Sequence, residues 1–176
     1  PATVEYSGEG WSFKCQARLR TLTENRICQW VAAGPFADPA KAQAENHAWQ
    51  ALTNANVHGA MNLNALLGPN TTGMTAVAVA VLRVARPTAV RFNFSGPVRL
   101  YVDGARIGTD AQRGSWGSAA LAPGDHFVKA VTIPEKKEGW TFKVACDIAE
   151  TCLPGDLLVL PAAHIFRCSN TNEETH

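Results

Sequence analysis

Apolar and polar residues alternate at every second position through most of the hydrophobic stretches of this chain, the period of a strand with one buried face. Trp11, Phe13, Cys15, Ala17 and Leu19 alternate with Ser12, Lys14, Gln16 and Arg18 near the start, and Trp140, Phe142, Val144, Cys146 and Ile148 alternate in the same way near the other end. These are two versions of one segment. EGWSFKCQARL begins at Glu9 and EGWTFKVACDI at Glu138, 129 positions later (138 − 9). Thr3-Val4 falls opposite Thr132-Ile133 at the same offset, and VAAGPF from Val31 falls opposite PAAHIF from Pro161 with one residue of slip. The stretch before residue 37 is thus a second edition of the stretch after residue 130, and 37–129 is single-copy.

Taken in order, the pattern predicts strands over 11–19 and 27–32, the second stopped by Gly34-Pro35. Residues 39–52 predict one short inserted helix, because the segment is rich in Ala, Gln, Glu and Lys, with Asp38 as the cap and Pro39 at the first helical position. Residues 54–72, heavy in Asn and Gly, read as a long loop. From Met74 onward the pattern is β. Val77, Val79 and Val81 alternate with Ala76, Ala78 and Ala80, which predicts a strand buried on both faces at the centre of a sheet. Val90, Phe92 and Phe94 alternate with Arg91 and Asn93, a strand with one wet face. Val98, Leu100 and Val102 lead into Asp103-Gly104, the two-residue hairpin signature, since that turn needs positive φ at both central positions. Further strands are predicted over 118–121, 126–133, 140–148 and 156–160. Many short strands separated by turn signals predict an all-β sandwich.

Composition narrows the function classes. Sixteen basic against fifteen acidic residues leave a net charge of +1 with no basic run, so the chain lacks the electrostatic footprint of a nucleic-acid binder. The longest apolar stretch, Ala76 to Leu82, is far short of a membrane span. An opening Pro1 suits a mature or excised form, which makes the lack of a signal peptide uninformative. Asn70 and Asn93 head glycosylation sequons, a pattern short enough to arise by chance.

The five cysteines lie only in the repeated ends. No pair has zinc-ribbon spacing, so no metal or other cofactor is expected. Cys15 with Cys28, and Cys146 with Cys152, are near enough in sequence to staple neighbouring strands, as suits an extracellular or cell-surface protein, with Cys168 left over. Buried thiols in a cytosolic protein are the alternative. The five histidines are scattered and there is no nucleophile elbow or phosphate loop, so an enzyme is not expected.

The order of signals resembles the galactose-binding-like jelly rolls, of the carbohydrate-binding-module and PA14-like kind. The residues that carry the resemblance are Trp30-Val31-Ala32-Ala33-Gly34-Pro35-Phe36, then Arg99 to Gly104 with its Asp-Gly turn, then Leu121-Ala122-Pro123-Gly124-Asp125 before Val128-Lys129-Ala130, and finally Gly139-Trp140-Thr141-Phe142. Where such domains often carry an Asp-Asp-Gly type stretch, this chain has Ser95-Gly96-Pro97, which removes polar contacts at that edge. The resemblance implies a jelly-roll body over 27–148, an N-terminal strand segment over 1–26 and a C-terminal extension over 149–176.

It also implies binding of a polysaccharide or glycan rather than catalysis, with an aromatic face stacked on a pyranose and polar neighbours on its hydroxyls. Trp116, Tyr101 and Trp49 are the candidate aromatics, with Asp110 and Arg113 beside Trp116. The plainer roles are a Trp116 that closes the end of the sandwich and a Trp49 that anchors the helix. The competing class is a structural subunit of an extracellular filament or surface assembly. Its duplicated terminal strands are partners within one sandwich on the plainest reading, the tail and head of successive modules of a tandem array on another, and on a third are exchanged between neighbours, with Cys168 locking the joint.

Overall fold

The computed structural model of the 176-residue chain describes residues 2–8, 11–17, 26–43, 47–52, 59–68, 74–111, 114–132, 140–148 and 156–162, with backbone alone at 2–8, 11–17, 43, 110–111 and 148. The strands are β1 (Ala2–Gly8), β2 (Trp11–Ala17), β3 (Trp30–Phe36), β4 (Gln50–Leu52), β5 (Met61–Asn62), β6 (Thr75–Val84) and β7 (Thr88–Ser95), followed by β8 (Val98–Val102), β9 (Ala105–Ala111), β10 (Ser115–Leu121), β11 (Gly124–Thr132), β12 (Thr141–Ile148) and β13 (Leu157–Leu160). All their pairings are antiparallel. A four-stranded sheet has the order β10-β7-β12-β5, and a seven-stranded sheet has the order β4-β3-β6-β11-β8-β9 with β13 also on β6. The protein is a β-sandwich.

The interior between the sheets follows from the alternation. Phe92 and Phe94 of β7, Phe142 and Val144 of β12, and Leu100 and Val128 of the large sheet share one buried cluster with Trp30 and Trp140. Trp30 donates its indole N–H to the Ile27 carbonyl at 2.8 Å and meets Phe142 edge to face at 5.2 Å, which gives a buried polar group its partner. β6 divides two cores: Ala76, Ala78, Ala80 and Leu82 face the sandwich interior, and Val77, Val79 and Val81 face a second cluster on the outer side of the large sheet. Its flanks are filled by β11 on one side and by β3 followed by β13 on the other, so β6 is central as the two apolar faces predict.

Several expectations shift. Of the helix expected over 39–52, the described residues form one 3-10 turn, Lys41–Gln43, and the strand β4, while 44–46 lie outside the described residues. Asp38 does accept the Ala40 N–H at 2.9 Å, as its role as a cap predicts. The unpaired edge of β3 nevertheless recruits Gln50–Leu52 as a strand, with Trp30 opposite Leu52, and strand pairing overrides a weak helix propensity. Among the described residues an α-helix, α1 (Asn64–Leu67), lies in the stretch expected as a loop. β3 is not stopped by Gly34-Pro35 but passes through them with a register shift between Ala33 and Phe36. The Asp103-Gly104 hairpin forms as expected, with φ of 49° and 81° and Val102 opposite Ala105.

The expected disulfides Cys15–Cys28 and Cys146–Cys152 are not formed, because Cys28 and Cys146 are both thiols. Cys146 sits at an inward position of β12, 1% exposed, opposite Phe92. Burial, with some repulsion from Asp147, pushes its thiol up to about 12. The Cys15 side chain, Cys152 and Cys168 lie outside the described residues.

Candidate functional site: the outer face of the four-stranded sheet

β7 buries Val90, Phe92 and Phe94, so Arg91 and Asn93 point to the opposite, wet face. The register of β10 and β12 against β7 then builds two rows across that face. Trp116, Asn93 and Ala145 form one; Ser118, Arg91 and Asp147 form the next. Trp116 is therefore a strand residue on an open sheet face, because β10 starts at Ser115 and not at Ser118 as expected, and it is 61% exposed.

The polar groups around it are ordered by each other. The Arg91 guanidinium carbon lies 4.7 Å from the Trp116 ring centroid, a cation–π contact worth about 0.5–1 kcal/mol at an exposed site, and it fixes the indole plane from one side. Asn93 donates through Nδ2 to Asp147 Oδ2 at 2.6 Å, which leaves its side-chain carbonyl as an acceptor beside the ring. Ser118 adds a hydroxyl. The chemistry on offer is one aromatic plane flanked by a cation, an amide, a carboxylate and a hydroxyl, with no nucleophile–base pair among them. Among the described residues, no cluster of His, Cys, Asp and Glu is placed to hold a metal ion.

A pair of glycines sets the height of Trp116. β9 crosses β10 where Gly108 meets Gly117, and a Cβ on Gly117 would stand 2.6 Å from Ile107 Cγ2 and 2.7 Å from Gly108 N. A Cβ on Gly108 would stand 2.7 Å from the Trp116 carbonyl oxygen. Only two bare backbones can come this close, and β10 is held against β9 as a result. Thr109 N–H adds a 3.3 Å bond to Ser115 Oγ.

Two of the other expected site residues, Tyr101 and Trp49, are not brought to this face. Tyr101 is half-buried and packs against the outer cluster of the large sheet, opposite Lys129. Trp49, 8% exposed, belongs to the same outer cluster, with its ring 5.1 Å from that of His47. Both lie on the opposite sheet from Trp116. Asp110 is placed only by its backbone in β9, and Arg113 lies outside the described residues. Arg91, Asn93 and Asp147 were not singled out from the sequence, although Arg91 and Asn93 occupy the wet positions of a strand whose alternation is plain. What was missing was the register that sets them beside Trp116.

Fold and site together define an antiparallel β-sandwich with an exposed aromatic platform on the outer face of its four-stranded sheet. No protein-family model matches the chain, and no curated protein does. Among solved structures, it is similar to a β-glucosidase from Kluyveromyces marxianus at 13% identity and a TM-score of 0.47, over 68% of this chain and 14% of that one. The same enzyme in complex with glucose gives 12% identity and 0.47, over 68% and 16%. A GH31 alpha-xylosidase from Xanthomonas citri gives 15% identity and 0.36, over 75% and 15%. The chain thus corresponds to a small part of each of those proteins.

Proposed function

We propose that this chain is a non-catalytic carbohydrate-binding module of the galactose-binding-like jelly-roll kind, which holds a polysaccharide on the outer face of its four-stranded sheet. The observation that carries the reading is the exposure of Trp116 on a sheet face whose polar groups are ordered by each other. A large aromatic left in water on a strand forgoes the stabilisation of burial, and a stacked pyranose restores it by covering the ring with its apolar C–H face. Arg91 holds one side of the indole, so the sugar takes the open side. Asn93, Asp147 and Ser118 lie within the two neighbouring rows and supply hydrogen bonds to its hydroxyls. These groups bind and orient, and the reading assigns them no chemical step.

Titration with a panel of soluble polysaccharides, followed by tryptophan fluorescence, tests the proposal. The expected result is a saturable change with at least one glycan that disappears in Trp116→Ala and weakens in Asn93→Ala. A ligand-induced change that survives Trp116→Ala, or no change with any glycan, overturns it.

A further inference from the structure

β2 is a second copy of β12, and the copy reaches the positions that matter for packing. In β12 and at its entry, Trp140, Phe142 and Cys146 are each 1% exposed and Val144 is fully buried, all in the sandwich interior. At an offset of 129, Trp11, Phe13, Cys15 and Ala17 stand at the same alternate positions of β2. The partner differs. β12 pairs with β7 and β5, whereas β2 pairs with β1, and among the described strands β1 and β2 pair only with each other. The register of that ribbon puts Val4 opposite Cys15, Tyr6 opposite Phe13 and Gly8 opposite Trp11 on one face, with Glu5 opposite Lys14 on the other. A two-stranded ribbon with one apolar face is marginal in water by itself.

The slot that suits β2 is already filled in its own body. β7 takes one edge of β12. On the other edge, β5 pairs with Thr141 and Phe142, Leu63 N–H reaches the Trp140 carbonyl at 3.0 Å, Ile27 N–H reaches the Val144 carbonyl at 3.0 Å, and Arg26 bridges to Ala145. Insertion of β2 into a second copy of the chain would expel a strand carrying nearly the same apolar set. Such an exchange gains no net burial and loses the freedom of two separate molecules. Only a sandwich that lacks its own β12 gains the whole strand.

The repeat is also visible on the far side of the body. β13 pairs with β6 on the same flank as β3, with Leu160 opposite Val81, while Val31 opposite Val79 puts Trp30 level with Ala80. Leu160 matches Trp30 at the offset of 130 seen for PAAHIF against VAAGPF (160 − 30), so the second copy of the β3 region takes up β3-like pairing within one residue of register.

We propose that β2 is the closing strand of a further module of this same fold, lying before residue 26 in the order of a tandem array, where it takes the place beside a β7-like strand that β12 takes here. The partner of the apolar face of β2 is thus a sandwich of this sequence type without a β12 of its own. This inference is independent of the sugar-binding reading.

The test adds that sandwich. Because residue 2 is equivalent to residue 131, residues 26–130 are fused directly ahead of the full chain from residue 2, and amide hydrogen exchange is followed in both proteins. In the 176-residue chain, the β2 amides exchange freely and Trp11→Ala leaves the unfolding midpoint unchanged. In the fusion, the β2 amides come within about tenfold of the protection of β12, and Trp11→Ala lowers the midpoint of the added module alone. Protection of β2 in the lone chain overturns the proposal: as a monomer it means that β2 packs on its own body, and as a dimer or larger particle that strands are exchanged between copies. β2 amides that remain unprotected in the fusion overturn it as well.

Discussion

His126 and Asp103 are joined across the end of the large sheet, Nδ1 donating to Oδ2 at 2.6 Å, while Nε2 of the same ring donates to the Ala122 carbonyl at 2.7 Å. Both partners accept only, so the ring satisfies them together only as the imidazolium. Asp103 also accepts the Phe127 N–H at 2.9 Å and so fastens the β8–β9 turn to β11. Burial works against the charge. The Asp103 hydrogen bond, the Ala122 carbonyl and the charges of Asp103 and Asp125 outweigh it, and the His126 pKa is raised above 6.5. A raised histidine stabilises the fold fully below its unfolded pKa of 6.5, and the contribution is lost as pH rises through the folded value. The thermal midpoint is therefore expected to fall on going from about pH 6 to 8, and His126→Gln should flatten that slope. An unchanged slope in the variant would falsify the assignment.

At the acid end the sign reverses. Arg83 holds Asp125 through a hydrogen bond of 2.7 Å from Nε and a second of 2.8 Å from Nη2, and its hydrogen bonding and charge keep the carboxyl below 3.8 against a smaller effect of burial. That stabilisation is present above the unfolded pKa and disappears as pH falls through the folded one. Asp125→Asn should remove a small part of the acid destabilisation measured below about pH 4, because the pair is well exposed and solvent screens it.

Trp116→Ala separates binding from folding. The ring is exposed and carries a cation–π contact with the Arg91 guanidinium, so the loss of stability is expected to stay within about 0.5–1 kcal/mol. Paired denaturant and glycan titrations on the variant would show a nearly normal unfolding midpoint with glycan binding abolished.

Gly117→Ala is expected to do the opposite. Its new methyl would enter the space of Ile107 and the Gly108 backbone, forcing β9 and β10 apart at a cost of about 1–3 kcal/mol. The shift of β10 carries Trp116 with it. Calorimetry should report a lower midpoint, and glycan affinity should fall although no binding group has been removed.

Cys146 should be inert toward alkylating reagents in the folded protein, since its thiol is buried and its pKa is pushed up to about 12. It should react at an ordinary rate once denaturant unfolds the chain, as mass spectrometry of labelled peptides can record. Replacement by serine places a hydroxyl opposite Phe92 in an apolar interior and is expected to cost about 1–3 kcal/mol.

The parts of the fold legible in the sequence are those fixed by local chemistry. Asp103-Gly104 needs only its own two residues to form the turn, and the Val and Ala faces of β6 announce burial on both sides. The end of the expected helix is strand because Gln50–Leu52 answers to the open edge of β3, a neighbour that local propensity does not see. Cys146 differs for a related reason: its closeness to Cys152 in sequence suggests a bridge, yet its place in the Trp140, Phe142, Val144 alternation sets it inward. The candidate site was half visible. Trp116 could be picked out as an aromatic among small residues, but Arg91, Asn93 and Asp147 join it only through the pairing of three strands distant in sequence, which alternation within each strand does not determine.

The burial of Val77, Val79 and Val81 on the outer side of β6 gives the molecule a front and a back. The back is sealed along its middle by its own chain, and the wet platform of Arg91, Asn93 and Trp116 looks out from the front alone. Modules strung in a row with a constant rotation from one to the next would turn their platforms by that same step. The angle between neighbours would then decide whether one long glycan lies along many of them or each takes a separate strand.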